Sequence, residues 1–262
     1  MNSKTLSLLF LLFAFLAAIY FLSCGNDNSV TGSSGTYPNI QMKAGSVYYY
    51  GTDSISQDGT YHKTNWRTKD SIWAATTYPP SGGKNCFPIF SLTQDTTNSI
   101  PITINSQMMY ISYDASSGQF YQWAIKRIFD PTQDSTWDLI ADFSKSIGTS
   151  VQIFTLTNLF NNPLLSATVF SKVAADTVIT TQSGLSVKCY RDELTANIFA
   201  GPLQVGTARI DYYIGYTPSN NASNPSGRIR FKFYPLTITG YASSIEGFDQ
   251  VMRNYSVIII IP

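Results

Sequence analysis

Side-chain catalysis needs groups that carry protons, electron pairs or metal ions, and this chain offers few. Its single histidine, His62, stands between Tyr61 and Lys63 with Trp66 close by, a strand-surface neighbourhood, and it would have to serve any Ser-His-Asp or Cys-His arrangement alone. One histidine also excludes histidine-rich metal sites. Gly-x-Ser-x-Gly elbows, phosphate-binding glycine loops and Cys-x-x-Cys pairs do not occur in the sequence. Two carboxylates can act as an acid and base pair in glycoside hydrolysis, but Glu193 and Glu246 are the only glutamates. The notable acidic group is Asp130, Asp134, Asp138 and Asp142, spaced four apart. Pro131 and the surrounding Thr, Ser and Gln imply a turn before a short helix, where aspartates cap and bond the loop; a calcium loop and carboxylate catalysis are the competing uses. The expectation is a chain with no catalytic residue, no metal and no cofactor.

Aromatic side chains are the better clue. Tyr48, Tyr49 and Tyr50 are consecutive, so at least one projects away from the core side of a strand, and Trp66, Trp73, Trp123, Tyr121, Tyr212, Tyr213 and Tyr216 add further rings. Tyr48, Tyr49, Tyr50, Trp66, Trp73 and Trp123 are the candidates to stack on a sugar or line an apolar cavity; packing inside a β core is the alternative. Cys86 and Cys189 form a lone pair of thiols that would close a loop of about 100 residues as a disulfide, or stay buried apart. Arg228, Arg230 and Lys232 alternate with Ile229, Phe231 and Phe233, which places a basic stripe on the wet face of a strand.

These groups have to be positioned by strands. β-branched and aromatic runs recur at 46–50, 71–77, 108–113, 120–128, 151–156, 167–173, 185–190, 208–214 and 228–233, with a buried last strand at 256–261. Turn signals at 57–59, 79–83, 116–118, 161–163 and 218–227 separate them. Two short helices are expected, near 136–145 and 244–255. The pattern predicts an all-β domain, either an antiparallel sandwich or a half-open curved barrel, with one or two short helices. A transmembrane barrel shares this signature, but charges on the non-core faces argue against it.

Of the 262 residues 13% are charged, about half the usual share, which excludes a disordered polyelectrolyte or a charge-laced coiled coil. With 17 Lys and Arg against 16 Asp and Glu, nucleic acid is not an expected partner. Lys4 is the first charge, residues 8–22 are apolar throughout, and Ser23, Cys24 and Gly25 follow, the parts of a secretory signal peptide. Residues 25–40 are a polar Gly/Ser/Asn stretch expected to act as a tether. The expected organisation is a signal peptide at 1–23, a lipidated N-terminus and tether at 24–40, and one β-rich domain at 41–262.

Phe21-Leu22-Ser23-Cys24 resembles the lipobox of bacterial lipoproteins. That resemblance implies cleavage before Cys24, acylation of its thiol and new amine, and a membrane as partner through the lipid anchor. Gly25 is not the aspartate that retains some such proteins at the inner membrane, which points to the outer membrane with its facing side open. Asp53-Ser54-Ile55, Asp70-Ser71-Ile72 and Asp176-Thr177-Val178 resemble the O-glycosylation sequon of Bacteroidota periplasmic and surface proteins, implying modification at Ser54, Ser71 and Thr177. The body is loosely similar to uncharacterised β-rich lipoproteins of that group, at 44–50 and at 185–190 followed by 201–206, and the likeness implies no catalytic residue. The expected function is that of a non-enzymatic, lipid-anchored envelope protein binding an apolar or carbohydrate ligand or a partner protein. A structural or assembly lipoprotein without a small ligand and a carboxylate-dependent hydrolase are the alternatives.

Overall fold

The computed structural model describes residues 37–129, 132–217, 225–240 and 244–257. The expected signal peptide, Cys24, most of the tether and Asp130 lie outside the described residues. Strand alternation governs almost everything else. Along β9 (Leu165–Thr180) Leu165, Ala167, Val169, Ser171 and Val173 are buried while the residues between them are half-exposed, and β12 (Gly227–Phe233) buries Ile229, Phe231 and Phe233. A fully buried side chain of this size contributes roughly 2 to 3 kcal/mol.

Among the described residues twelve strands form one antiparallel sheet. The first half is a meander: β1 (Ser46–Ile55), β2 (Tyr61–Ile72), β4 (Lys84–Asp95), β5 (Ile102–Asp114), β6 (Gln119–Trp123) and β7 (Trp137–Asp142). The second half runs through β8 (Ser150–Leu156), β9, β10 (Ser186–Ala200), β11 (Leu203–Gly215) and β12, then the last strand, β15 (Gly247–Val257). β15 inserts between β12 and β1, pairing with β1 from Ser46↔Val257 to Ile55↔Gly247. The edge strands β7 and β8 approach each other without pairing, so the sheet curls into a nearly closed barrel. Short β3 (Thr76–Tyr78) pairs with the start of β4, and β13 (Leu236–Thr237) with β14 (Ser244–Ile245) forms a separate ribbon. The inward faces meet in one apolar core. The fold is thus the curved barrel rather than the sandwich of the two architectures expected.

Both expected helices are strands instead. Residues 136–145 hold β7, and residues 244–255 hold β14 and most of β15, where Phe248, Gln250 and Met252 are buried at every second position. Side chains four apart share a face in a helix and in a strand alike, so Phe248 and Met252 satisfy both periods. Among the described residues the helical pieces are a four-residue turn, Lys126–Phe129, and a 3-10 turn, Leu159–Asn161.

The chain enters the barrel across one end. Tyr113 Oη donates to the Pro38 carbonyl at 2.7 Å, and Thr217 N–H donates to the Asn39 carbonyl at 2.8 Å. Ile40 and Met42 are buried in the core, and Gly45 N–H donates to the Ile72 carbonyl. Residues 38–45 therefore strap that end, and the folded body begins before residue 41. The Tyr37 ring lies 2.7 Å from where a Cβ on Gly118 would stand, and Gly118 has φ +68°, so glycine is required there on both counts.

Candidate functional site

The outer wall of β2 to β7 carries a row of rings set by register. Ile72, Ile89, Met109 and Ile111 point into the core, which turns their neighbours outward. Trp73 N–H donates to the Pro88 carbonyl at 2.9 Å, Pro88 pairs with Tyr110, the adjoining pair Ile111↔Gln122 leads to Trp123, and Trp123 pairs with Trp137. Trp73, Pro88, Tyr110, Trp123 and Trp137 thus lie side by side across five strands, about 19 Å at the usual strand spacing. Trp73 is 54% exposed, and Tyr110, Trp123 and Trp137 are half-buried.

A flap completes the surface. Tyr78, from β3, stacks on Tyr110 with centroids 3.9 Å apart and planes 8° apart, and meets Trp123 edge-on at 5.2 Å. Trp123 and Trp137 are edge-to-face at 5.7 Å, and Trp137 Nε1 donates to the Tyr78 carbonyl at 2.9 Å. Each such ring pair contributes about 0.5 to 1.5 kcal/mol beyond its burial. The turn from Tyr78 back to β4 needs Gly83, because a Cβ there would lie 2.2 Å from the Tyr78 carbonyl carbon and oxygen. Lys84, directly opposite Tyr78, lays its ammonium over the Tyr121 ring at 3.9 Å from the centroid. Tyr121 Oη donates to Gln119 Oε1, and Gln119 Nε2 donates to Asp142 Oδ2. Burial, with Asp114 and Asp142 nearby, pushes the Tyr121 phenol above its ordinary value. The arrangement offers flat π faces bordered by an ammonium, amides and a phenol, which suits a ligand with C–H faces and hydroxyl edges.

Only some of the expected ligand-facing aromatics belong to this surface. Trp73 and Trp123 do. Tyr48 and Tyr50 instead face the core: Tyr48 Oη donates to the Ser226 carbonyl and Tyr50 Oη to the Arg228 carbonyl. Tyr49 is exposed on β1, and Trp66 is half-buried where β2 pairs with Asp95, away from the row. Tyr78, Tyr110 and Trp137 escaped the sequence reading. The Tyr-Pro-Pro-Ser-Gly-Gly run marks a turn but not what it folds onto, and the expected helix at 136–145 hid the outward position of Trp137.

Arg228 departs from the expected basic stripe. In the β11–β12 register Arg230 opposes Tyr213 but Arg228 opposes Ile214, so Ile229 is the extra residue of a bulge and Arg228 turns to the core side with Ile214. Arg228 is 1% exposed; its Nη2 bonds Asp70 Oδ2 at 3.0 Å and its guanidinium lies over the Tyr50 ring at 4.0 Å. Ser91 Oγ donates to the other Asp70 oxygen. Beside them Gln250 Nε2 donates to Thr68 and Thr52, and Thr68 bonds Thr93. Burial pushes the Asp70 carboxyl up while Arg228 and Ser91 pull the other way. Arg230 remains outside on Asp249, and Lys232 lies over Tyr61 and Tyr234, so the outer stripe is compensated.

A second buried carboxylate, Asp192, has only hydroxyl help among the described residues. Ser171 Oγ donates to its two oxygens at 3.1 and 3.4 Å, and burial, with Glu193 and Asp211 adding repulsion, pushes it up to about 7. Burial also opposes ionisation of Glu193, but Lys172, Arg209 and Arg191 outweigh it and hold that carboxyl low.

The remaining candidates disperse. Cys86 on β4 and Cys189 on β10 are free, buried thiols on strands six places apart in the order around the barrel, the arrangement of the two expected in which they stay buried apart. His62 Nε2 stands 2.7 Å from Ser56 Oγ on an exposed hairpin. Asp138 bonds the Lys126 ammonium and the backbone N–H of Lys126, fastening the helical turn, while Asp142 accepts from Ser144. Among the described residues no group of three or more His, Cys, Asp or Glu is placed to hold a metal. Ser54, Ser71 and Thr177 lie half-buried within β1, β2 and β9. No helix among the described residues is long and apolar enough to cross a membrane. The chain matches no protein-family model, no curated protein and no solved structure.

Proposed function

We propose that this is a non-enzymatic, lipid-anchored envelope protein whose barrel binds carbohydrate along the outer aromatic row. The observation that supports this reading is the row itself: Trp73, Tyr110, Trp123 and Trp137 in register on one wall, with Tyr78 stacked above. Trp73 is more than half exposed at the end of a row of three half-buried rings, and apolar surface left in reach of solvent can mark an interaction site. Sugar rings suit this row because the aromatic side chains are bordered by an ammonium, amides and a phenol that can hydrogen-bond hydroxyl groups. The anchor part rests on Cys24 at the end of the apolar leader, with the outer membrane as its proposed place and Ser54, Ser71 and Thr177 as proposed glycosylation positions.

Affinity electrophoresis of the full chain in detergent through gels containing neutral or acidic polysaccharides tests the binding. Retardation that Trp123→Ala abolishes is the expected result; free migration in every polysaccharide refutes it. Radiolabelled palmitate incorporation, lost in Cys24→Ser, tests the anchor separately. An assembly role is the second reading, favoured by edge strand β8, whose sequence SVQIFTL has no charge and no proline and pairs only with β9 among the described strands. A monomer at high concentration would count against it.

A further inference from the structure

We propose that Lys84 makes the aromatic surface selective for anionic polysaccharides, a step that rests on the carbohydrate reading above. Lys84 and Tyr78 are directly opposed in the β3–β4 hairpin, so their Cβ atoms lie about 5 Å apart. The ammonium therefore borders the ring that caps the row. Lys84 has no carboxylate within ion-pair distance among the described residues and rests on the Tyr121 π face. Asp114 and Asp142 are the carboxylates near the Tyr121 ring, and neither forms an ion pair with Lys84: Asp114 accepts from Ser116 and Ser117, and Asp142 from Ser144 and Gln119. A cation held over a ring keeps its charge and part of its donor capacity for a second partner. A sugar stacked on Tyr78 and Trp123 would bring an acidic substituent at its edge to that ammonium.

A lysine is a point charge without the fork that selects one planar oxyanion, so carboxylate and sulfate are both acceptable to it. The shared requirement is a negative group on a sugar chain. An exposed ion pair of this type changes affinity by up to about fivefold and weakens in salt.

The test measures binding of the full chain in detergent to polygalacturonate, dextran sulfate and neutral dextran, at low and high salt. Wild type is expected to bind at least one acidic polymer about threefold to fivefold more tightly than the neutral one, with the gap closing at high salt. Lys84→Gln should erase the gap, Lys84→Arg should keep it, and Trp123→Ala should weaken every polymer. Preference for polygalacturonate or for dextran sulfate identifies which anion is used. Equal binding of acidic and neutral polymers by wild type, or a gap that survives Lys84→Gln, overturns the role of Lys84 while leaving the aromatic surface standing. Failure of wild type to bind any polymer removes both.

Discussion

Asp192→Asn should make the protein more stable at pH 8 and little different at pH 4. Asp192 is 1% exposed, carries one hydroxyl partner, and pairs across the sheet with Val173 and Tyr212. The cations nearby, Lys172, Arg191 and Arg209, serve Glu193 and Asp211. A carboxyl raised from 3.8 to about 7 keeps its proton in the folded chain at pH values where the unfolded chain has lost it. Stability from this group is complete below pH 4, falls between pH 4 and 7 because the unfolded state binds fewer protons there, and is lost above that window. The displacement corresponds to roughly 4 kcal/mol, an upper bound because a strained site relaxes when it ionises. Asparagine preserves the shape, and Ser171 can turn its hydroxyl to meet the amide. Urea denaturation of both proteins from pH 4 to pH 8 isolates the effect, since every other group titrates in both. The variant's curve should be flatter, with a gain of a few kcal/mol at pH 8. Parallel profiles, or a variant less stable than wild type at pH 8, would refute the reasoning.

The Arg228–Asp70 pair should behave as a unit: Arg228→Met alone strands a buried carboxylate and is expected to cost about 3 to 5 kcal/mol, whereas Arg228→Met with Asp70→Leu should recover most of that. A double variant as unstable as the sum of the singles in denaturant melts would contradict this. Burial pushes the Cys86 and Cys189 thiols up to about 11 and about 12, so both should resist a thiol reagent at pH 8 in the folded protein and react fully in denaturant. Rapid labelling of native protein, or fewer than two thiols after unfolding without reductant, would show that account to be mistaken.

Legibility in the sequence followed the range of the interaction. Alternation in 228–233 identified β12, because a strand with one wet face writes its period locally. The bulge that turns Arg228 inward did not show, since it depends on where β11 pairs. The spacing of Phe248 and Met252 suggested a helix because an interval of four cannot separate the two periods. Trp73 and Trp123 were recognisable as candidate rings, but their alignment with Tyr110 and Trp137 depends on the register of four strand pairings, none of which a single sequence contains. Tyr48 and Tyr50 were misplaced because the choice of which face of β1 looks inward rests on β15, two hundred residues away, closing the barrel beside it.

Position along the barrel ties the surface to the chain's entry. The strap at residues 38–45, the start of β1 and the β5–β6 turn at Gly118 share one end. Tyr110 is four residues, about 13 Å, from the end of β5 on that side, while Trp73 at the other end of the row directly follows Ile72, whose carbonyl accepts from Gly45 of the strap. Cys24 is thirteen residues before Tyr37, and that length of chain spans at most about 45 Å however it is arranged. Ile100, Leu164 and Leu203 are exposed at the opposite end of the barrel. On the proposed anchor and carbohydrate readings, lengthening the segment before Tyr37 should leave affinity for free polysaccharide unchanged while altering capture on intact membranes. A change in the solution affinity itself would mean that the strap, and not the reach of the chain, governs the surface.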